Sequence, residues 1–310
     1  MTLLCPTDLG DHLIDQTRRE HPRENSYRHQ IRQPTIRLRL PPPNSWHTTK
    51  LHQCDSNLTV LGLARSEQTA VQAQFGVSAE QVRRDHLISH LLGALSRMDD
   101  KKGLVFFGGT ALSRTLLRDL RLSEDIDLIT TSNRSTMASA IMAAFENGLA
   151  RSHGEIEWMP ALDKTRGSEP AVLRVSGPTQ VQIQLLSTTG YPAWPTTTVT
   201  IEQRYSDAPP AELTVLTPEA FVSAKMSAWL DRRSARDLYD LWALGNLGLI
   251  NTAALDLFKR FGRTGTSPTS STFANPPSQS QWESSLSHQG LIKIGPSEAA
   301  SALTAWWAAV

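Results

Sequence analysis

Residues 108–128 read Gly-Gly-Thr-Ala-Leu-Ser-Arg-Thr-Leu-Leu-Arg-Asp-Leu-Arg-Leu-Ser-Glu-Asp-Ile-Asp-Leu and carry the most pointed chemistry in the chain. In the run Ser123-x-Asp125-x-Asp127, alternation along a strand puts all three polar residues on one face and Ile126 and Leu128 on the other. Two carboxylates about 7 Å apart on one strand face repel each other and do little for stability. They are suited to a hard divalent cation that shares its oxygen shell with phosphate. Gly108-Gly109-Thr110 precedes them. Two glycines let the backbone pass close to a ligand, and amides at the start of a helix favour an anion, with the Thr110 hydroxyl adding a hydrogen bond. A tight turn with a threonine cap would look the same in isolation. Paired with the acids, it points to phosphate handling. Neither the Walker lysine loop nor a Gly-x-Gly-x-x-Gly turn is present.

These residues need a strand, a turn, a helix and a second strand to hold them. Leu104–Phe107 reads as a buried strand, Ala111–Leu120 as a helix and Asp125–Thr130 as the second strand. Upstream, Ser78-Ala-Glu-Gln81 is a capping box with Val77 and Val82 spaced as a hydrophobic staple, so order is expected from near residue 77. Leu87, Ile88, Leu91, Leu92 and Leu95 follow at helical spacing, and Ile141, Ala144, Phe145 and Leu149 mark another helix. Further strands are expected at Glu155–Met159, Ala171–Val175, Val181–Leu186, Val199–Arg204 and Leu213–Leu216. Thr217-Pro218 opens a helical region that runs to Phe261, with Thr217 as N-cap. Residues 262–281 are rich in Ser, Thr, Gly and Pro and read as a linker before a last helix ending at Trp306-Trp307. The expected fold class is α/β (α+β). A catalytic lobe spans 75–216 and a helical lobe 217–310.

The chain has 310 residues, with 31 Lys+Arg against 30 Asp+Glu, so any nucleic-acid contact must come from a local patch. Cys5 and Cys54 are the two cysteines, which leaves no thiol nucleophile or Cys-ligated zinc after residue 60. A Cys5–Cys54 disulfide is one option; the plainer expectation is a reducing, cytoplasmic setting. No stretch approaches the roughly 20 apolar residues of a membrane span, and the N-terminus lacks the order of a signal peptide. Residues 1–74 are expected to be a poorly ordered or variable extension. Its seven arginines between Arg18 and Arg39 also fit a basic arm for an anionic partner, and Ile36–Leu40 alternates like a short strand.

In two separate blocks the sequence resembles the AbiEii-type nucleotidyltransferases, the toxins of type IV toxin–antitoxin and abortive-infection systems, which include the mycobacterial MenT toxins. The first block is Gly108-Gly109-Thr110-Ala111-Leu112 followed by Arg121-Leu-Ser123-Glu124-Asp125-Ile-Asp127-Leu128. The second is Lys225-Met-Ser-Ala228 followed by Arg233-Ser-Ala-Arg236-Asp237-Leu-Tyr-Asp240-Leu241. Arg84-Asp85 and Trp282 to Gln289 also fit the family. The likeness spans about residues 75–310. It implies a bilobed nucleotidyltransferase fold, with a mixed-sheet N-terminal lobe and a helical C-terminal lobe. By that resemblance Gly108, Gly109 and Thr110 bind a nucleoside triphosphate, with Ser123, Arg121 and Arg236 in the same pocket. Asp125 and Asp127 hold Mg²⁺ (or Mn²⁺), Lys225 contacts phosphate, and Asp237 completes the catalytic set. The implied acceptor is the 3′ end of tRNA or another RNA, and a cognate antitoxin is the implied partner. A protein acceptor (NMPylation) and a non-catalytic nucleotide-binding role are the alternatives.

The residues themselves leave several points open. Ser234-Ala-Arg-Asp237 is itself a capping box, so Asp237 would either cap a helix or converge with Lys225 on one site. On one continuous helix Lys225, Arg232, Arg236 and Asp240 would be a solvated polar stripe. Many nucleotidyltransferases carry a third carboxylate on a later strand. Gln184 stands at that position here and cannot serve as a base, which makes Asp237 the expected proton acceptor. Arg114, Arg118 and Arg121 surround the glycine turn and serve either phosphate or neighbouring acids such as Asp119 and Glu124. His86 and His90 are four apart on a helix, with no third ligand evident, and read as polar-face histidines. Trp306-Trp307 reads as helix packing rather than a base-stacking platform.

Overall fold

The computed structural model describes residues 62–310. The basic segment, the Ile36–Leu40 alternation and the Cys5/Cys54 pair lie outside the described residues. Order begins earlier than the capping box suggests: α1 (Arg65–Phe75) precedes it, buries Val71 and Phe75, and ends on Gly76 in the left-handed region. The sequence hides this helix because its buried residues are few and polar ones separate them.

The Ser78 hydroxyl accepts from the Gln81 amide and starts α2 (Ala79–Ser96). Val77 and Val82 are both buried beside Phe75, as the staple requires. All five apolar positions of helical spacing in α2 are buried. A short 3₁₀ turn leads to β1 (Leu104–Phe107), then α3 (Gly108–Ser113), β2 (Asp125–Thr130) and α4 (Arg134–Leu149). α3 is only six residues, so the expected helix to Leu120 is cut short. After Arg114 the chain turns, and Leu117 and Leu120 are buried from the loop.

β3 (Glu157–Trp158), β4 (Ala171–Arg174), β5 (Gln180–Ser187), β6 (Thr196–Ile201) and β7 (Ala211–Leu216) complete a seven-stranded mixed sheet of order β3-β4-β5-β2-β1-β7-β6. β6 lies three residues upstream of its expected place. β2 is central, antiparallel to β1 and parallel to β5. Its Ile126 and Leu128 join Phe106, Ile183 and Leu185 in the core with α2 and α4. The residues between them are free to form the other face.

The helical half follows. Thr217 caps α5 (Pro218–Arg232) through the Ala220 amide. Arg233, at φ 51, breaks the chain before α6 (Ala235–Asn246), so the two blocks of the second motif lie on successive helices. α7 (Thr252–Phe261), α8 (Gln279–Leu286) and α9 (Pro296–Ala308) complete it. The expected linker 262–281 is anchored: Phe273 is buried in a 3₁₀ turn, and the Trp229 indole donates to the Thr272 carbonyl. Trp307 is buried beside Phe258, so this pair packs helices. Among the described residues no helix is long and apolar enough to cross a membrane.

Candidate active site

β2 brings Asp125 and Asp127 to the sheet face opposite the core. In register beside them on β5 lie Gln182 and Gln184. A cleft of about 200 Å³ opens over this face. It is lined by Gly109, Arg121, Ser123, Asp125 and Asp127 on one side and Lys225, Arg232, Arg236 and Asp237 on the other. Both halves of the chain therefore meet at the acids.

Gly108 has φ +79, and a Cβ there would lie 2.1 Å from Asp127 Oδ2. The glycine is required by the close approach of the acid. Gly109 lines the cleft, where a Cβ would stand 3.0 Å from Ser123 Oγ. Thr110 does not face the cleft. Its side chain is buried and its hydroxyl donates to the Asp125 carbonyl, so it ties α3 to β2. The hydroxyl expected for phosphate is thus used to place the metal-type acid.

Among the described residues neither Asp125 nor Asp127 makes a side-chain hydrogen bond or ion pair. Burial, then the charge of Asp125, push the Asp127 carboxyl up to about 6. Burial likewise raises Asp125, against the pull of Arg236. Two adjacent carboxylates held above their ordinary range with no protein cation bound to them are a donor set for a divalent ion. Burial, then Asp127, also raises the Tyr191 hydroxyl, a neighbour that the sequence did not point to.

Opposite the acids, Lys225 is buried with Nζ 2.7 Å from Asp240 and 3.1 Å from Asp237. Arg232 grips Asp237 at 2.6 and 2.8 Å. Burial acts to raise Asp237, but Lys225 and Arg232 outweigh it and hold the carboxyl at about 2. Asp237 is therefore a fully paired anion, and the proton-acceptor role expected of it does not suit the structure. Nor does it cap α6: the Ser234 side chain makes no capping bond. Arg236 lines the cleft and makes no ion pair among the described residues.

Arg121 also borders the cleft, but its guanidinium is engaged. It donates to both Asp240 oxygens at 2.9 and 2.8 Å and to Gln289 at 2.7 Å. Gln289 in turn donates to Glu124, which Arg84 holds at 2.6 Å. Arg114 and Arg118 do not reach the cleft: Arg114 is buried on Asp85 at 2.8 Å, and Arg118 pairs with Glu202 at 3.0 Å. Arg232 and Gln182 line the cleft without having been singled out as site residues. Their signal was available: Arg232 is one α-helical stripe position from Lys225, and Gln182 alternates with Gln184.

A sequence model described as "Nucleotidyl transferase AbiEii toxin, Type IV TA system" matches residues 90–295. No curated protein matches the chain. Among solved structures, the chain is similar to MenT4, a nucleotidyltransferase toxin from Mycobacterium tuberculosis H37Rv, at 18% identity and TM-score 0.60, covering 80% of this chain and 89% of that one. That likeness shows a shared fold. A putative nucleotidyltransferase from H. pylori aligns at 15% identity and TM-score 0.45 over 75% of this chain and 95% of its own.

Proposed function

We propose, from the premise that this chain belongs to the AbiEii family of nucleotidyltransferase toxins of type IV toxin–antitoxin systems, that its cleft transfers a nucleoside monophosphate from an NTP to the 3′ end of tRNA. Residues 75–216 act as the catalytic lobe and 217–310 as the helical lobe. The observation that carries this reading is the pair of acids, Asp125 and Asp127, facing the guanidinium of Arg236 across one cleft, all three without an ion pair among the described residues.

The acids and the raised Asp127 carboxyl fit a divalent cation, Mg²⁺ or Mn²⁺, which when bound would neutralise charge on the phosphoryl groups. Arg236, with Lys225 and Arg232 behind it, supplies the positive field for the triphosphate. Gly109 lets the phosphates approach the backbone, and Ser123 offers a hydroxyl beside them. The acceptor hydroxyl oxygen attacks the α-phosphorus, the bond to the β-phosphate oxygen breaks and pyrophosphate leaves. Gln184 lies in register with Asp127 and donates its amide to the Ser168 carbonyl, so it cannot take the hydroxyl proton. Arrested translation is the consequence in the cell, and a cognate antitoxin in the same cytoplasmic compartment is the partner.

The test uses α-labelled NTPs, Mg²⁺ or Mn²⁺, and cell extract, followed by RNase or protease. Label in RNase-sensitive material is expected from the wild type and none from Asp127→Asn. Label lost only to protease would move the acceptor to protein, and wild-type transfer by Asp127→Asn would overturn the mechanism.

A further inference from the structure

A second cluster of ligand-type side chains lies on α2. His86 Nε2 stands 3.1 Å from both Asp207 oxygens, and His90 Nε2 stands 3.2 Å from Asp207 Oδ2 and 3.3 Å from His86 Nε2. His86 and His90 are buried and Asp207 is 25% exposed. His153, just past α4, packs its ring 5.2 Å from His86 and 5.0 Å from His90. Its Nδ1 meets the Ser152 hydroxyl, while its Nε2 is buried without a partner among the described residues.

Hydrogen bonding alone satisfies this group poorly. When both Nε2–H groups donate to the Asp207 carboxylate, the 3.3 Å approach of His86 Nε2 to His90 Nε2 sets donor against donor. A tetrahedral ion with ligand bonds of about 2.0–2.1 Å needs its ligands roughly 3.3 Å apart. The observed separations are within a few tenths of that. We propose that His86, His90 and Asp207 form a second metal site, taking a divalent transition ion, zinc first, that staples the β6–β7 loop to α2. Two imidazoles and one carboxylate select zinc, cobalt or nickel over Mg²⁺, which demands oxygen, so this site and the two-aspartate cleft choose different ions. Burial lowers both ring pKa values, against the pull of Asp207, which keeps the rings neutral and ready to ligate. His153 packs its ring beside both histidines.

The loop has reason to be stapled. It runs from β6 to β7 over α2, where Gln203 donates to the Ser89 carbonyl and Tyr205 to Asp85. Gly62, at φ +110, is backed against Asp207, where a Cβ would lie 2.1 Å from Oδ2. Among the described residues His86 Nδ1 has no hydrogen-bond partner, so one usual outer contact of a ligating ring is missing there. The affinity should accordingly fall below that of a dedicated structural zinc site.

The experiment uses the untagged, full-length chain, stripped with chelator and titrated with Zn²⁺ by calorimetry and with Co²⁺ by visible absorption. The wild type is expected to bind one more equivalent than His90→Gln or Asp207→Asn, or at least tenfold more tightly at that equivalent. The comparison cancels ions held by the five histidines and two cysteines of residues 1–60. An Asp125→Asn, Asp127→Asn variant should keep the zinc equivalent, which separates this site from the catalytic reading. Should the His90 or Asp207 variants fail to fold by circular dichroism, hydrogen exchange of the wild type decides. Zinc should slow peptides covering 202–210 and α2. Equal binding by wild type and folded variants, or no slowing there, overturns the proposal.

Discussion

Asp127 carries a conflict between stability and chemistry. Its folded carboxyl titrates at about 6, above the ~4 of an unfolded aspartate. Between those values the folded state binds more protons than the unfolded one. Its contribution therefore favours folding at low pH, and stability falls as pH rises from about 4 to about 6. Asp127→Asn, which mimics the protonated form, should raise Tm by about 2–4 °C at pH 7.5 without divalent ions and abolish transfer. Scanning calorimetry beside the labelling assay checks both. Protons compete with the divalent cation for Asp127, so the Mg²⁺ concentration needed for half-maximal transfer should rise as pH drops through about 6. The cations opposite should separate just as clearly. Arg236→Gln removes a side chain with no ion pair among the described residues, so KM for NTP should rise with little change in Tm. Lys225→Met removes one of two cationic partners from each of the buried acids Asp237 and Asp240, which Arg232 and Arg121 still hold, and should cost about 1–3 kcal/mol by denaturant unfolding.

At the scale of the element, the junction between β1 and α3 fixes the acid's position. Gly108→Ala would place a methyl group against Asp127 at a φ of +79. The backbone alone should cost about 1–2 kcal/mol. Gly177, at φ +90 with nothing within 4 Å of its Cβ, gives the control. Gly177→Ala should lose similar stability and no activity, whereas Gly108→Ala should lose transfer more than tenfold. The alternation Ser123-x-Asp125-x-Asp127 was legible because a strand of period two with apolar residues between polar ones admits one assignment. The capping-box pattern at Ser234 left Lys225 and Asp237 as one of two options, and family likeness chose between them, since the break at Arg233 that folds α6 back is an αL turn without glycine. The roles of Thr110 and Arg121 were not legible. Both are polar residues beside a site, and only the partner (the Asp125 carbonyl, the Asp240 carboxylate) tells that their donors are used for structure. The His86–His90 spacing was visible, but Asp207 lies 117 residues from His90, and no local pattern announces a ligand at that distance.

Across the whole described chain, one arginine joins the two halves of the cleft. Arg121 leaves the loop before β2 and forms a bidentate pair with Asp240 on α6, both side chains almost wholly buried. Burial works against Asp240, but Arg121 and then Lys225 hold its carboxyl below the usual range. Lys225 shares that carboxylate and Gln289 caps the other guanidinium edge, so four residues from four segments meet at one point. Such a knot sets the width of the cleft, and hence the distance from Arg236 to the acids. A lysine at 121 keeps the charge but not the planar fork. Arg121→Lys should therefore fold with reduced stability and lose kcat more than NTP affinity, because the triphosphate cations remain while the alignment across the cleft is lost. Asp240→Asn should act in the same direction. If the pair works as a unit, the double variant will fall short of the sum of the singles by about 0.5–3 kcal/mol in unfolding free energy. Additive losses would mean that the halves are held together elsewhere, and the place to look would then be the Glu124–Gln289 contact.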